Sequence, residues 1–315
     1  MIDITYRLNK IWGALLFAGI VALLMSIAAC GSDDSVAVES EGVKKGGTLK
    51  VGMLPDHIAF DPPTLLGMPD IYTAIHTYDT LVFREPDLST RPALAKSWTF
   101  NEDASVWTFT LREGVHFNSY ENGAIVKGKE FTSEDVIFTI NRMYEVESPT
   151  VSTISPEKPT MVAVDDHTVR FEFAAPNATL LQGLVKYQSH ITPSDIDPAK
   201  FAKGTYGTGA YIVTDHIAGE RTTFIANPDY WMEGLPYPDD MIFLFIPGPE
   251  GRAEALKAGT IDMIADLEAT SIPGLQAHPD TTVQIAPGGG YMNLAMIVTE
   301  PPFDNILVRK AVQAA

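Results

Sequence analysis

The sequence predicts an α/β fold, and three stretches carry that prediction. Residues 94–100 (LAKSWTF) and 106–117 (VWTFTLREGVHF) are aromatic and β-branched runs on either side of a polar five-residue break, NEDAS, the pattern of a hairpin. Trp98 and Phe100 alternate with Ser97 and Thr99, and Trp107, Phe109 and Leu111 with Thr108, Thr110 and Arg112, so each strand offers one face to a core and one to water. Thr132 stands three residues before Asp135, a capping spacing, and Val136, Ile137, Ile140, Met143 and Tyr144 form the apolar stripe of the helix that follows. Residues 240–247, much later, are an apolar strand of the parallel type.

The stretch from Leu94 to Tyr144 resembles the signature region of extracytoplasmic solute-binding protein family 5, which serves peptide, dipeptide and nickel ABC importers. That signature runs P-x-LA-x-SW, a turn with Asp, W/Y-x-F-x-LR-x-GV-x-F and a T-x-x-DV helix. Its positions are filled by Pro92, Leu94, Ala95, Ser97, Trp98, Asp103, Trp107, Phe109, Leu111, Arg112, Gly114, Val115, Phe117, Thr132, Asp135 and Val136. The resemblance implies a periplasmic-binding-protein-like fold of type II, with a solute held between two α/β lobes.

Before the signature, residues 1–10 carry Arg7 and Lys10, and residues 11–27 are an uncharged apolar run of 17 that leads through Ala28 and Ala29 to Cys30, the one cysteine in the chain. Small residues ahead of a lone cysteine fit a bacterial lipoprotein signal over 1–29, with lipid on the Cys30 sulfur. A 17-residue helix rises roughly 25 Å, the short limit for a bilayer, so an uncleaved anchor is the competing reading. A single cysteine rules out an intrachain disulfide. Residues 30–45 are polar and aperiodic, a flexible tether.

The globular part opens with a strand at Gly46-Gly47-Thr48-Leu49 and an Asp61-Pro62 pair, both matched in the family. Residues 71–83 place Ile71, Ala74, Ile75, Tyr78 and Leu81 on one helical face, which leaves His76 on the polar face. Residues 118–130 lie where the family has a short turn and read as an irregular, insertion-like run. Residues 162–173 form a hairpin about Asp165-Asp166, and residues 179–185 a short helix. TYGTGAY (residues 205–211) lacks the third glycine and the helix of a dinucleotide loop, and matches a family strand start with Ala210 in place of proline. Residues 221–226 are a strand, residues 227–231 (NPDYW) a family turn, and residues 252–258 a helix stopped by Gly259 before Ile261-Asp262. The family's usual asparagine ahead of the PF pair is replaced by Ile297 and Val298, while Pro302-Phe303 and Val308-Arg309 match the crossover toward a second lobe.

On this resemblance, lobe I comprises 46–84 and 199–293, an extra subdomain 85–198, and the start of lobe II 294–315; the chain is then C-terminally truncated, with lobe II largely missing. The family's ligand-facing segment aligns with Leu66, Gly67, Met68 and Asp70, and the crossover adds Tyr291 and Asn293. The implied partners are a small solute, foremost a peptide, an ABC permease, and the membrane through the lipid. The chain would be a monomer, lipid-anchored on the extracytoplasmic face. Forty acidic against 22 basic residues, a formal charge of −18, oppose nucleic-acid binding. The seven histidines include no i,i+4 pair and no HExxH, and neither a Walker loop nor a G-x-S-x-G elbow occurs. The sequence thus offers no cofactor site, no metal site and no catalytic residue; Asp165-Asp166 and Asp239-Asp240 read as turn acids. A lipid-anchored sensor or enzyme built on the same fold is the alternative.

Overall fold

The computed structural model describes residues 44–54, 59–285 and 296–314. Among these, β1 (Thr48–Met53) leads through a short turn of helix at Pro62–Thr64 to α1 (Met68–Thr77), and β2 (Val82–Arg84) pairs with β3 (Thr90–Pro92). Next come β4 (Ala95–Phe100), β5 (Val106–Leu111), β6 (His116–Glu121), β7 (Ala124–Glu130) and α2 (Ser133–Glu145). After α3 (Val151–Ile154) follow β8 (Thr160–Asp165), β9 (Thr168–Glu172) and α4 (Leu180–Leu184). The last part holds β10 (Tyr211–Ile217), β11 (Arg221–Ala226), β12 (Asp240–Phe245), α5 (Pro249–Lys257), β13 (Met263–Ile264), α6 (Ile272–Gln276) and α7 (Ile306–Ala314).

Two sheets organise these strands. β4, β5, β9 and β8 form an antiparallel sheet in that order, and α2 packs its apolar stripe on it, burying Val136, Ile140 and Met143 against Trp107, Phe109, Leu111, Val169 and Phe171. Each such side chain taken fully from water contributes about 1.5–3 kcal/mol. The start of α2 is fixed as its spacing predicts: the Thr132 N–H donates to Asp135 Oδ2 at 2.8 Å in a capping box, while Asp135 Oδ1 accepts from Lys129 Nζ at 2.7 Å and the Ser194 N–H at 2.8 Å. The first strand departs from its predicted pattern. β4 is an edge strand, so Trp98 is half-buried and Phe100 is 58% exposed, its ring leaning on Trp107 at 4.5 Å.

The second sheet has the order β10-β11-β12-β1-β13. β12, β1 and β13 run parallel, while β11 is antiparallel to both β10 and β12. Val51, Met53, Phe60, Val213, Phe224, Met241, Phe243 and Phe245 fill its core.

Two local expectations are corrected. Residues 118–130 are not irregular: most of the run lies in the antiparallel β6–β7 hairpin, whose turn residues Asn122 and Gly123 sit at φ of +51° and +84°. Asn-Gly is the pair a two-residue hairpin turn demands, because both positions need positive φ. His76 is not on a polar face either. Helix α1 buries Pro69, Asp70, Thr73, Ala74 and Thr77, a stripe rotated from the apolar one, which leaves Ile75 49% exposed. The His76 ring meets Phe243 edge-on at 5.7 Å, and its Nδ1 donates to the Tyr72 carbonyl at 2.6 Å. Burial lowers its pKa, because the charged imidazolium would lose its water.

Candidate functional site

In open sheets with parallel strands, ligands gather at the carboxyl ends of the strands. Here β12, β1 and β13 present those ends along one edge, locked by the Ile246 N–H on the Met53 carbonyl at 3.0 Å and the Ala265 N–H on the Gly52 carbonyl at 3.1 Å. Helix α1 runs back across the sheet. Its final turn places His76 near Tyr211, which is aligned with the amino end of β12, whereas its first turns place Tyr72 at the carboxyl edge, donating to Asp266 Oδ1 at 3.0 Å. Helix α5 begins just past β12, so the amino termini of both helices, with their unpaired N–H groups and partial positive charge, face this edge.

The loop entering α1 is pinned from below. Leu65 is fully buried, and its carbonyl accepts from Gln188 Nε2 at 2.9 Å, itself a buried side chain. Asp61, just upstream, takes both Arg142 nitrogens, at 2.9 and 2.8 Å, which fastens the loop to α2. With Leu65 held in, Leu66 is thrown outward at 72% exposure and Met68 stands at 46%. Gly67 is the N-cap of α1. Asp70 is buried, and its Oδ1 accepts from the Ala59 N–H at 2.8 Å. Of the residues named from sequence as ligand-facing, Leu66 and Met68 are exposed and Gly67 caps α1, whereas Asp70 is buried and braces the loop. Tyr291, Asn293 and Cys30 lie outside the described residues.

Sequence reasoning missed Tyr72 and Asp266. Asp266 is the second residue after β13, at the carboxyl edge, and it holds a left-handed backbone, φ +57°. Its position after a parallel strand was the available signal. Burial, then the hydrogen bond to Asp266, pushes the Tyr72 hydroxyl up to about 12, so it stays a donor at any physiological pH.

The motifs that carry the resemblance meet elsewhere, around Asp79. Its Oδ2 accepts from Thr208 Oγ1 at 2.8 Å and Trp231 Nε1 at 2.9 Å, its Oδ1 faces the Tyr230 hydroxyl at 3.4 Å, and the Arg112 guanidinium stacks on Trp231 at 4.5 Å. Asp79 is 2% exposed, and burial raises its pKa against the effect of these donors. No solute reaches a carboxylate so enclosed, so it acts as a structural hub. The two glycines of TYGTGAY serve the same junction: a Cβ on Gly207 would stand 1.9 Å from the Thr77 carbonyl oxygen.

A recess of about 530 Å³ beside α7 is lined, among the described residues, by Met296, Ile306, Arg309, Lys310, Val312 and Gln313. Among the described residues no group of three His, Cys, Asp or Glu is placed to hold a metal ion, and no helix is long and apolar enough to cross a membrane.

Di/tripeptide-binding protein 3 of Pseudomonas aeruginosa is 27% identical over 264 residues, 77% of this chain and 49% of that protein. Heme-binding protein A of Haemophilus influenzae is 26% identical over 259 residues, 76% of this chain and 47% of that protein. The chain therefore spans about half the length of these curated relatives. Among solved structures, the ABC transporter-associated periplasmic binding protein DppA from Helicobacter pylori, in complex with peptide STSA, superposes with a TM-score of 0.67 at 27% identity, covering 75% of this chain and 50% of that one. The fold is that of type II periplasmic binding proteins. The profile of bacterial extracellular solute-binding proteins, family 5 (middle region), matches residues 89–315, well over half the sequence, and the chain belongs to that family.

Proposed function

We propose that the chain is the substrate-binding component of an ABC importer. It captures a small solute, foremost a short peptide, outside the cytoplasmic membrane and hands it to the permease. The observation that supports this reading is the carboxyl edge, where three parallel strand ends stand with the exposed Leu66 and Met68 on the loop into α1; on this reading they are one jaw of a cleft. On this reading, residues 46–84 and 199–293 are lobe I, residues 85–198 its extra subdomain, and residues 294–315 the start of lobe II. Leu66, Gly67, Met68, Tyr291 and Asn293 contact the ligand, with Asp70 holding the loop beneath. The solute is bound and released without covalent change, and closure of the second lobe makes the form that the permease recognises. Cys30 carries the lipid that keeps the monomer at the membrane surface.

The reading is supported by relatives named for di/tripeptide and heme binding and by a structural neighbour holding a peptide. Its test is a thermal-shift screen of the full-length protein, with both lobes present, against short peptides, heme and nickel chelates. A ligand at a hundred times its Kd stabilises the native state by about 2.7 kcal/mol, a dose-dependent rise in Tm of several degrees. A screen without any shift, or turnover of a bound peptide, refutes it. Mass spectrometry of the membrane-extracted chain checks the lipid, which Cys30→Ala removes.

A further inference from the structure

We infer that Arg142 and Gln188 are positioning residues for solute capture: they hold the loop ahead of α1, so that a solute meets Leu66 and Met68 already in place. This rests on the solute-capture reading above and adds to it a role for residues 85–198, the extra subdomain on that reading.

Arg142 is 5% exposed and Gln188 1%, so neither touches a solute and each acts through the loop. Helix α2 has two buried faces. Val136, Ile140 and Met143 cover the four-stranded sheet, while Asp135, Thr139 and Arg142, spaced i, i+4 and i+7, form a second, polar stripe. Asp135 Oδ1 accepts from the Ser194 N–H at 2.8 Å and Thr139 Oγ1 from the Thr192 N–H at 2.9 Å, which ties the first part of the stripe to the chain that follows Gln188. Arg142 ends the stripe at the loop. Its two terminal nitrogens donate to the two oxygens of Asp61 at 2.9 and 2.8 Å, and its guanidinium stands over the rings of Phe138 at 5.7 Å and Phe201 at 5.3 Å. Gln188 bridges to the same loop: its Oε1 accepts from Thr150 Oγ1 at 3.1 Å and its Nε2 donates to the Leu65 carbonyl at 2.9 Å. The short turn Pro62–Thr64 is thus gripped on both sides, at Asp61 before it and at Leu65 after it.

Stability alone does not account for this arrangement. A buried ion pair adds little over apolar residues of the same volume, because desolvation offsets its attraction, whereas a bidentate pair does fix geometry. What it fixes here is a loop whose next residues carry apolar side chains into solvent, Leu66 at 72% and Met68 at 46% exposure; a slack loop would turn them inward. A loop ordered before the solute arrives spares the complex the entropy of ordering it, so slack in the loop shows as lost affinity.

Two variants of the full-length protein test this. Arg142→Met combined with Asp61→Asn removes both charges and leaves no buried ion unpaired; Gln188→Met removes the donor to Leu65 and nearly keeps the volume. Each is titrated calorimetrically with short peptides, heme and nickel chelates, melted without ligand, and followed by amide hydrogen exchange. The expected result is at least about tenfold weaker binding of whichever probe the wild type takes, with a ligand-free Tm within about 4 °C of wild type. The amides of Thr64 and Leu65, which bond to the Asp61 and Pro62 carbonyls, exchange faster while those of β5 do not, and saturating probe restores their protection. An affinity kept within about twofold of wild type overturns the positioning role and leaves solute capture standing. So does a loss of affinity accompanied by a collapse in Tm or by faster exchange throughout β5 and α2, which marks general loosening. Where the double variant does not fold, Gln188→Met decides by the same criteria. A wild type that binds none of the probes overturns solute capture and the positioning role with it.

Discussion

Asp79 permits a stability prediction worked directly from its contacts. Asp79→Ala leaves the Thr208 hydroxyl and the Trp231 indole N–H without an acceptor in a site closed to water. Each orphaned donor costs about 1–3 kcal/mol, and relief of the buried charge offsets part of this, so the net loss is about 2–4 kcal/mol. Asp79→Asn keeps an oxygen for both donors and loses less than about 1 kcal/mol at neutral pH. The pH dependence separates charge from hydrogen bonding. Burial lifts the folded-state pKa above the ordinary 3.8, so the folded protein holds the proton more tightly than the unfolded chain. The contribution of Asp79 is then full below 3.8 and declines as pH rises through the folded value, so wild type loses ground to Asp79→Asn between pH 4 and neutrality. Urea titrations of both variants, followed by far-ultraviolet circular dichroism at several pH values, measure this. Equal damage from Asn and Ala, or a wild type that gains on the Asn variant as pH rises, refutes the account.

Three further outcomes are accessible by the same assay. His190 is 4% exposed, and burial holds its imidazole at about 4 rather than 6.5, so it is neutral when folded. Its contribution is present above 6.5 and is lost as pH falls toward 4, by at most about 1.4 kcal/mol per pH unit; His190→Gln flattens that slope. Gly207→Ala drives a methyl into the Thr77 carbonyl and costs at least about 3 kcal/mol, read as a lowered urea midpoint or loss of folded protein. Thr132→Ala weakens the α2 capping box and costs about 1 kcal/mol with the secondary structure unchanged.

What the sequence made legible was local. The β4–β5 hairpin, the Thr132–Asp135 cap and the hairpin about Asp165-Asp166 follow from spacing within a few residues, and the structure contains all three, whereas β12, read as a parallel strand, is parallel to β1 but antiparallel to β11. The β6–β7 hairpin was equally local, but its Asn122-Gly123 turn lay in a run set aside as an insertion. The rotated face of α1 was less accessible: Asp70 and Thr77 are buried with their polar groups satisfied, Asp70 by the Ala59 N–H and Thr77 Oγ1 by the Thr73 carbonyl, which hydrophobic periodicity does not register. The edge was legible only in part. Tyr72 and Asp266 are 194 residues apart and meet only through the fold.

The position of β1 sets an order of assembly. It is the first strand of its sheet along the chain, yet it lies between β12 and β13, with the Gly47 N–H on Asp239 and the Lys50 N–H on Asp262 across 192 and 212 residues. The four-stranded sheet draws on residues 95–172 alone and can close with α2 while β1 still waits, both its flanks open to stray pairing. Pulse-labelled hydrogen exchange should find the amides of β5 and β9 protected before those of β1; the reverse sequence would show that the late strands are not what β1 awaits.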